Sequence, residues 1–128
     1  MRTYSIGIVK DNTMIIKEIQ TYPFVYGRQL IPEIQNMIWI SRIHFTIEKK
    51  ENDIIVIVNS SLPTYLNNKL MMTGCGEIIS PFDMISILNK KTKEYHRVFF
   101  LPNGSSPELQ SFYQRYHLID FIYSFHNS

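Results

Sequence analysis

Cysteine is nearly absent from this chain, and long apolar runs are missing altogether. The single cysteine, Cys75, excludes an internal disulfide and a cysteine-rich metal cluster, which favours a reducing compartment. No apolar run approaches the ~20 residues that a transmembrane helix needs, and the polar start is not that of a secretory signal peptide. We therefore expect a soluble nuclear or cytoplasmic protein without a membrane segment.

The chain also lacks a large excess of either positive or negative charge. Lys and Arg number 13 against 11 Asp and Glu, so the formal net charge is only +2. An excess this small does not indicate a nucleic-acid-binding protein, and direct nucleic-acid binding is not expected. The length of 128 residues suits one domain with a single hydrophobic core.

The chain does contain many short apolar runs separated by polar turns. Residues 4–9 and 14–19 predict one hairpin, and residues 44–49 and 54–58 predict another. The remaining runs lie at 22–26, 37–40, 65–66, 77–79, 84–88 and 94–101. About ten strands at this spacing predict an all-β sandwich. Trp39, inside one of these runs, is interpreted as a core residue rather than a ligand platform.

The periodicity changes to helical after residue 102. Ser105 and Glu108 are spaced as a capping box, and apolar residues then recur along one helix face at Leu109, Phe112, Tyr116, Ile119 and Tyr123. We predict a sandwich over residues 1–102, then a linker and an amphipathic helix within 103–128. The helix either packs on its own sandwich, which we prefer, or pairs with a second copy in a homodimer.

Side chains suited to phosphate recognition lie beside three of the predicted strands. Arg28 follows the run at 22–26, Ser41 follows the run at 37–40, and Ser60 and Ser61 follow the run at 54–58. Arginine offers a planar fork of donors to an anion, and serine hydroxyls add short charge-assisted hydrogen bonds. Because loops at the ends of neighbouring strands can converge, these residues predict a phosphate site.

The ordered set resembles the forkhead-associated (FHA) domain, a β-sandwich that binds phosphothreonine peptides through loops at one end. Its motif is Gly-Arg, then Ser-x-x-His about 13 residues later, then Ser-x-Asn-Gly-Thr-x-x-Asn. The resemblance covers about residues 4–101 and departs from the motif at Leu62-Pro63, which stand in place of Asn-Gly. The matching residues are Gly27, Arg28, Ser41, His44, Ser60, Thr64 and Asn67.

The resemblance implies a role for each of these positions. Arg28 and Ser41 would bind the phosphate, Ser61 would add a hydroxyl, and Arg42 would reach the phosphate or the peptide backbone. Leu62 occupies the position of the family's asparagine, which contacts the peptide backbone. Structural support of the site would come from Gly27, His44, Ser60, Thr64 and Asn67.

The resemblance also implies a fold and a function. The fold would be an FHA-like β-sandwich of about 10–11 strands with one C-terminal helix. The function would be that of an adaptor that binds a phosphothreonine-containing protein, without catalysis, metal or cofactor. Family members commonly serve DNA-damage, checkpoint and cell-cycle signalling, which implies a nuclear location.

Two other functions are compatible with the residues. A hydrolase would use Ser41 as nucleophile and His44 as base, but no acid has a triad-like spacing and no nucleophile-elbow glycines surround Ser41. A non-enzymatic protein is therefore expected. The other alternative, favoured by Leu62-Pro63, is an FHA-fold interaction or dimerisation module that has lost phosphopeptide binding.

Overall fold

The computed structural model describes residues 3–115, which contain ten β-strands, a short 3-10 helix at Pro32–Ile34 and one α-helix. An all-β sandwich of about ten strands followed by a helix is thereby confirmed. The elements are β1 (Tyr4–Lys10), β2 (Thr13–Glu18), β3 (Phe24–Tyr26), β4 (Phe45–Lys50), β5 (Asp53–Val58), β6 (Thr64–Leu66), β7 (Lys69–Leu70), β8 (Gly76–Ile79), β9 (Met84–Leu88), β10 (Tyr95–Pro102) and α1 (Pro107–Arg115).

The strands form two antiparallel sheets. The larger sheet has the order β2-β1-β10-β9-β6-β7, and the smaller has the order β3-β4-β5-β8. Both predicted hairpins, β1–β2 and β4–β5, are present. Asp11 and Asn12 join β1 to β2 with φ of 51° and 66°, and two successive positive φ values suit the right-handed twist of a hairpin.

The inner faces of the two sheets share one apolar core. Side chains alternate along each strand, so every second residue points inward. In β1, Ile6 and Ile8 are fully buried, and in β5, Ile54, Val56 and Val58 are buried. Each such burial contributes about 1.5–3 kcal/mol. This core fixes the strand register and so holds the loops at each end of the sandwich in place.

The prediction of a strand at residues 37–40 is wrong. The N–H of Met37 donates to the carbonyl of Ile34 at 3.0 Å, and the N–H of Ile40 donates to that of Met37 at 2.9 Å. These successive turns occupy backbone groups that a strand would pair with a neighbour. Ile34 and Ile40 are nevertheless fully buried. Trp39 packs against the same core but is only partly buried.

Helix α1 covers part of the outer face of the six-stranded sheet. Leu109 and Phe112 are buried against Met14, Phe99 and Leu101. The ring of Phe112 meets that of Phe99 edge-on, with 4.9 Å between centroids. The described part of the helix thus packs on its own chain. The other predicted face residues, Tyr116, Ile119 and Tyr123, lie outside the described residues.

The helix cap differs from the predicted capping box. The N–H of Leu109 donates to Oγ of Ser106 at 3.1 Å, which makes Ser106 the N-cap instead of Ser105. Pro107 then occupies the first helical position, where its missing N–H costs nothing. Within residues 3–115, no helix is long and apolar enough to cross a membrane.

Candidate functional site

The site lies where three loops meet at one end of the sandwich, here called the loop end. The first loop is residues 27–31 after β3, the second is residues 41–44 before β4, and the third is residues 59–63 between β5 and β6. The register places the end of β3 beside the start of β4, and the start of β4 beside the end of β5. The three loops therefore emerge at the same level of the sandwich.

Backbone hydrogen bonds join the first loop to the second. The N–H of Arg28 donates to the carbonyl of Ser41 at 3.2 Å, and the N–H of Gln29 donates to that of Arg42 at 3.1 Å. Gly27 permits this close approach, because a Cβ there would lie only 2.1 Å from the carbonyl oxygen of Arg42. Any side chain at position 27 would push the two loops apart.

The Arg28 side chain is held by one backbone contact. Its Nε donates to the carbonyl of Ile40 at 2.5 Å, while a guanidinium carries four further N–H groups on its terminal nitrogens. Within residues 3–115 neither Arg28 nor Arg42 forms an ion pair with a carboxylate. Arg42 is exposed, and Arg28 is partly so. Both guanidinium groups are therefore available to an external anion.

Two serine hydroxyls join the second loop to the third. Oγ of Ser41 lies 2.6 Å from Oγ of the buried Ser60, which also accepts from the N–H of Leu62 at 3.1 Å. A serine hydroxyl has one proton and two lone pairs. With Ser60 donating to Ser41, the Ser41 proton is left for a bound anion.

A residue outside the three loops also holds the third loop in place, and it was not predicted from the sequence. Oγ1 of Thr73, between β7 and β8, donates to the carbonyl of Ser60 at 2.8 Å. Thr73 is 13 residues from Ser60, and no motif or spacing links the two. Their proximity arises only from the sheet pairing.

His44 is buried beneath the second and third loops. Its Nε2 lies 2.9 Å from Oγ1 of Thr64, which donates its own proton to the carbonyl of Leu62 at 3.0 Å. The histidine must then donate through Nε2, so the neutral tautomer carries its proton there. Burial lowers the pKa of His44 to about 4, which keeps the ring neutral at pH 7.

These pairings disfavour a hydrolytic centre. Ser41 is hydrogen-bonded to Ser60, whereas His44 is hydrogen-bonded to Thr64. A nucleophilic serine needs a base within hydrogen-bond reach of its hydroxyl, and His44 is engaged elsewhere. In the described part of the chain, no cluster of three or more His, Cys, Asp or Glu side chains could hold a metal ion.

The remaining predicted site residues occupy different positions. Ser61 is exposed at the third loop, and Leu62 is partly buried with its side chain against the core. Asn67 is not brought to the three loops. It lies on the β6–β7 turn, where it donates to Oδ1 of Asp83 and accepts from the N–H of Met84, both at 2.9 Å.

A buried polar pair beneath the site was not predicted. The hydroxyl of Tyr26 in β3 lies 2.7 Å from Nε2 of His96 in β10, so the pair links the two sheets through the core. Burial, followed by the charges of His44 and Lys10, lowers the pKa of His96 to about 4. Burial likewise raises the pKa of Tyr26. The pair is 70 residues apart in sequence, so no local pattern could reveal it.

Together, the loops present cationic and hydroxyl donors, and no carboxylate among residues 3–115 neutralises them. Arg28 and Ser41 come from loops that are bonded to each other, Ser60 fixes Ser41 from below, and Arg42 and Ser61 are exposed around them. Charge-assisted bonds from such donors are the strong ones in proteins. The arrangement can bind an anionic group of a ligand.

Comparison with known proteins finds relatives by fold alone. No family model matches the chain, and no curated protein matches it. Among solved structures, an engineered FHA domain with a Myc-pTBD peptide has a TM-score of 0.66 at 16% identity. The match covers 80% of this chain and 92% of the engineered domain. The N-terminal FHA domain of S. cerevisiae Rad53p, in complex with a phosphothreonine peptide, also has a TM-score of 0.66, at 15% identity, and the match covers 79% of this chain and 94% of the Rad53p domain.

A third structure comes from a plant. The FHA domain of an Arabidopsis thaliana hypothetical protein has a TM-score of 0.58 at 16% identity, covering 83% of this chain and 91% of that one. Identities of this size show a shared fold and nothing more specific.

Proposed function

From the forkhead-associated fold of this chain, which the resemblance predicted and the solved structures confirm, we propose that the domain binds phosphothreonine peptides. It acts as an adaptor that recognises a phosphorylated partner protein, without catalysis or cofactor. The partner works with it in nuclear signalling of the DNA-damage, checkpoint or cell-cycle kind.

One observation carries the proposal. Arg28 is fixed by the Ile40 carbonyl next to the Ser41–Ser60 hydroxyl pair, and no carboxylate in residues 3–115 pairs with it. A cationic fork beside a hydroxyl donor matches a phosphate ester in charge and geometry. Each hydrogen bond to a charged group contributes about 1.5–3 kcal/mol. Two of the neighbouring folds come from work on phosphothreonine peptides or phosphothreonine-dependent interactions, which supports the assignment.

The proposed roles follow from exposure and hydrogen bonding. Arg28 and Ser41 bind the phosphate, Ser61 adds a hydroxyl, and exposed Arg42 reaches the phosphate or the peptide. His44, Thr64 and Ser60 hold the loops from below. The resemblance to the family further implies a small apolar niche for the threonine methyl, which would favour phosphothreonine over phosphoserine by about 0.8 kcal/mol.

The third loop supports a second candidate function. The N–H and the carbonyl of Leu62 are both engaged inside the loop, and its side chain packs toward the core. Leu62 thus offers no side-chain anchor for a peptide backbone, and such an anchor contributes about 0.5–1.5 kcal/mol. This favours weak binding, and in the extreme an interaction module without phosphopeptide recognition.

A phosphopeptide library tests the proposal. The parent domain should enrich phosphothreonine peptides, and Arg28→Ala should fail to enrich them. The matched control is Arg97→Ala, which removes the same charge from an exposed position over the Tyr95 ring. Enrichment that is insensitive to phosphorylation, or an equal decrease in both variants, would reject the proposed site.

A further inference from the structure

The small net charge of the chain conceals an uneven distribution between the two ends of the sandwich. The register puts the β9–β10 turn at the loop end, because Thr64 at the start of β6 pairs with Ile87 near the end of β9. Counted over the connections and the strand residues that border them, the loop end carries Lys10, Arg28, Arg42, Lys90, Lys91 and Lys93 against Asp11, Glu33 and Glu94. Counted in the same way, the opposite end carries Lys50 and Lys69 against Glu18, Glu51, Asp53 and Asp83.

The basic β9–β10 turn, residues 89–94, is attached to the proposed phosphate site. The N–H of Leu88 donates to the carbonyl of Pro63 in the third loop at 3.0 Å. The third loop is in turn joined to the second by the Ser41–Ser60 pair. Hydrogen bonds, together with the backbone of the third loop, thus connect the loop of Arg28 to Leu88, the strand residue directly before this turn.

The turn itself is built around Asn89. Its Oδ1 accepts from the N–H groups of Lys91 at 3.0 Å and Thr92 at 3.4 Å, and its carbonyl accepts from the N–H of Lys93 at 2.8 Å. The three lysines are exposed and, within residues 3–115, none of them forms an ion pair. A backbone held this way presents their charges at a defined place, which lowers the ordering cost of binding an anion.

We propose that the β9–β10 turn is a second anion-binding surface, and that the ligand is a phosphothreonine peptide carrying further negative groups. This inference rests on the proposed function. Facing sheets are spaced about 10 Å apart, so these groups lie several residues along an extended peptide from the phosphothreonine. They are aspartate or glutamate side chains or a second phosphate, which share the anionic chemistry that lysine recognises.

Fluorescence anisotropy with a peptide series tests this proposal. The series consists of one phosphothreonine peptide with neutral flanks, the same peptide with three aspartates before or after the phosphoresidue, and a version with a second phosphothreonine. Each has an unphosphorylated twin. Near 50 mM salt, one anionic flank should tighten binding roughly fivefold or more, and the gain should shrink strongly at 0.5 M salt. Comparison of the aspartate and doubly phosphorylated peptides identifies the source of the negative groups.

Two triple variants locate the effect. Lys90→Gln, Lys91→Gln and Lys93→Gln together should abolish the gain and leave the neutral-flank phosphopeptide within about twofold of the parent. The control, Lys49→Gln, Lys50→Gln and Lys69→Gln, removes the same charge from the opposite end and should retain the gain. Circular dichroism melting verifies that both variants fold.

Each other outcome has a definite meaning. Equal affinity of the parent for neutral and anionic phosphopeptides overturns the second surface while the proposed function stands, and so does an equal reduction of the gain in both variants. Anionic peptides that bind equally with and without phosphothreonine reject the proposed function instead. If no phosphopeptide binds, both fail.

Discussion

Lowering the pH from 7 to 5 should reduce the free energy of unfolding by about 2 kcal/mol for each of two buried histidines, His44 and His96. Both are nearly inaccessible to solvent, and burial lowers the pKa of each from 6.5 to about 4. At pH 4 the reduction per histidine approaches about 3 kcal/mol, since one pKa unit corresponds to about 1.4 kcal/mol. Because the two charges interact, the measured quantity is the sum for the pair.

The direction follows from proton binding in the two states. Well above pH 6.5 both histidines are neutral whether the chain is folded or unfolded, so they contribute no pH dependence there. Between pH 6.5 and about 4 the unfolded chain binds protons that the folded chain does not, and stability therefore falls as the pH falls. Below about pH 4 the folded state is protonated as well, and this contribution levels off.

Urea denaturation at pH 7, 6 and 5, followed through the fluorescence of Trp39, measures the effect. A His44→Gln and His96→Gln double variant cannot take up these protons and should lose most of the slope. It also controls for His117 and His126, which lie outside the described residues. Carboxylates titrate mainly below pH 5, so the chosen window isolates the histidines. Stability that is constant from pH 7 to 5, or a double variant with the full slope, would refute this reasoning.

Three further predictions concern the loops and the helix. Gly27→Ala should break the two backbone hydrogen bonds between the first and second loops and abolish phosphopeptide binding. Thermal melting should show a loss of stability of about 1–3 kcal/mol, and unchanged melting would contradict the Cβ clash. In calorimetry, Arg42→Ala should weaken phosphopeptide binding nearly as much as Arg28→Ala. The double substitution Leu62→Asn with Pro63→Gly should tighten binding and make it less dependent on Arg42. If the parent already binds tightly and Arg42→Ala binds equally well, the third loop is sufficient as it stands and this prediction is wrong. Light scattering should give the mass of one chain at all concentrations, whereas a dimer that disappears when the chain is stopped at Asn103 would refute intramolecular helix packing.

Sequence reasoning succeeded where one local pattern dominates the structure. Short apolar runs on either side of a polar turn predicted the two hairpins. Residues 4–9 and 44–49 alternate as one-sided burial requires, whereas the return strand at 54–58 is apolar throughout. The grouping of Arg28, Ser41 and Ser60 at one end of the sandwich was also predicted, although the segment before Ser41 is a series of turns and not the expected strand. The prediction of a strand at residues 37–40 was wrong because a run of four apolar residues suits a buried turn as well as a strand.

Features that depend on pairing between distant strands could not be predicted. Thr73 supports Ser60, and Tyr26 meets His96, only because the sheets bring their strands together. The position of the lysine-rich turn at the loop end follows from the β6–β9 register, which composition does not contain. Asn67 has the spacing of the last residue of the third-loop motif, yet its side chain hydrogen-bonds Asp83 in the β8–β9 connection.

Calorimetry with one phosphothreonine peptide and its unphosphorylated twin tests the central claim most directly. The phosphorylated peptide should bind with a Kd in the tens of micromolar. The side chain of Leu62 cannot hydrogen-bond the peptide backbone, and the loss of that bond weakens an affinity otherwise near one micromolar by up to about tenfold. The twin should bind at least about tenfold more weakly, since it offers no charged partner to Arg28 and Ser41. Equal binding of the two peptides would contradict the phosphate site.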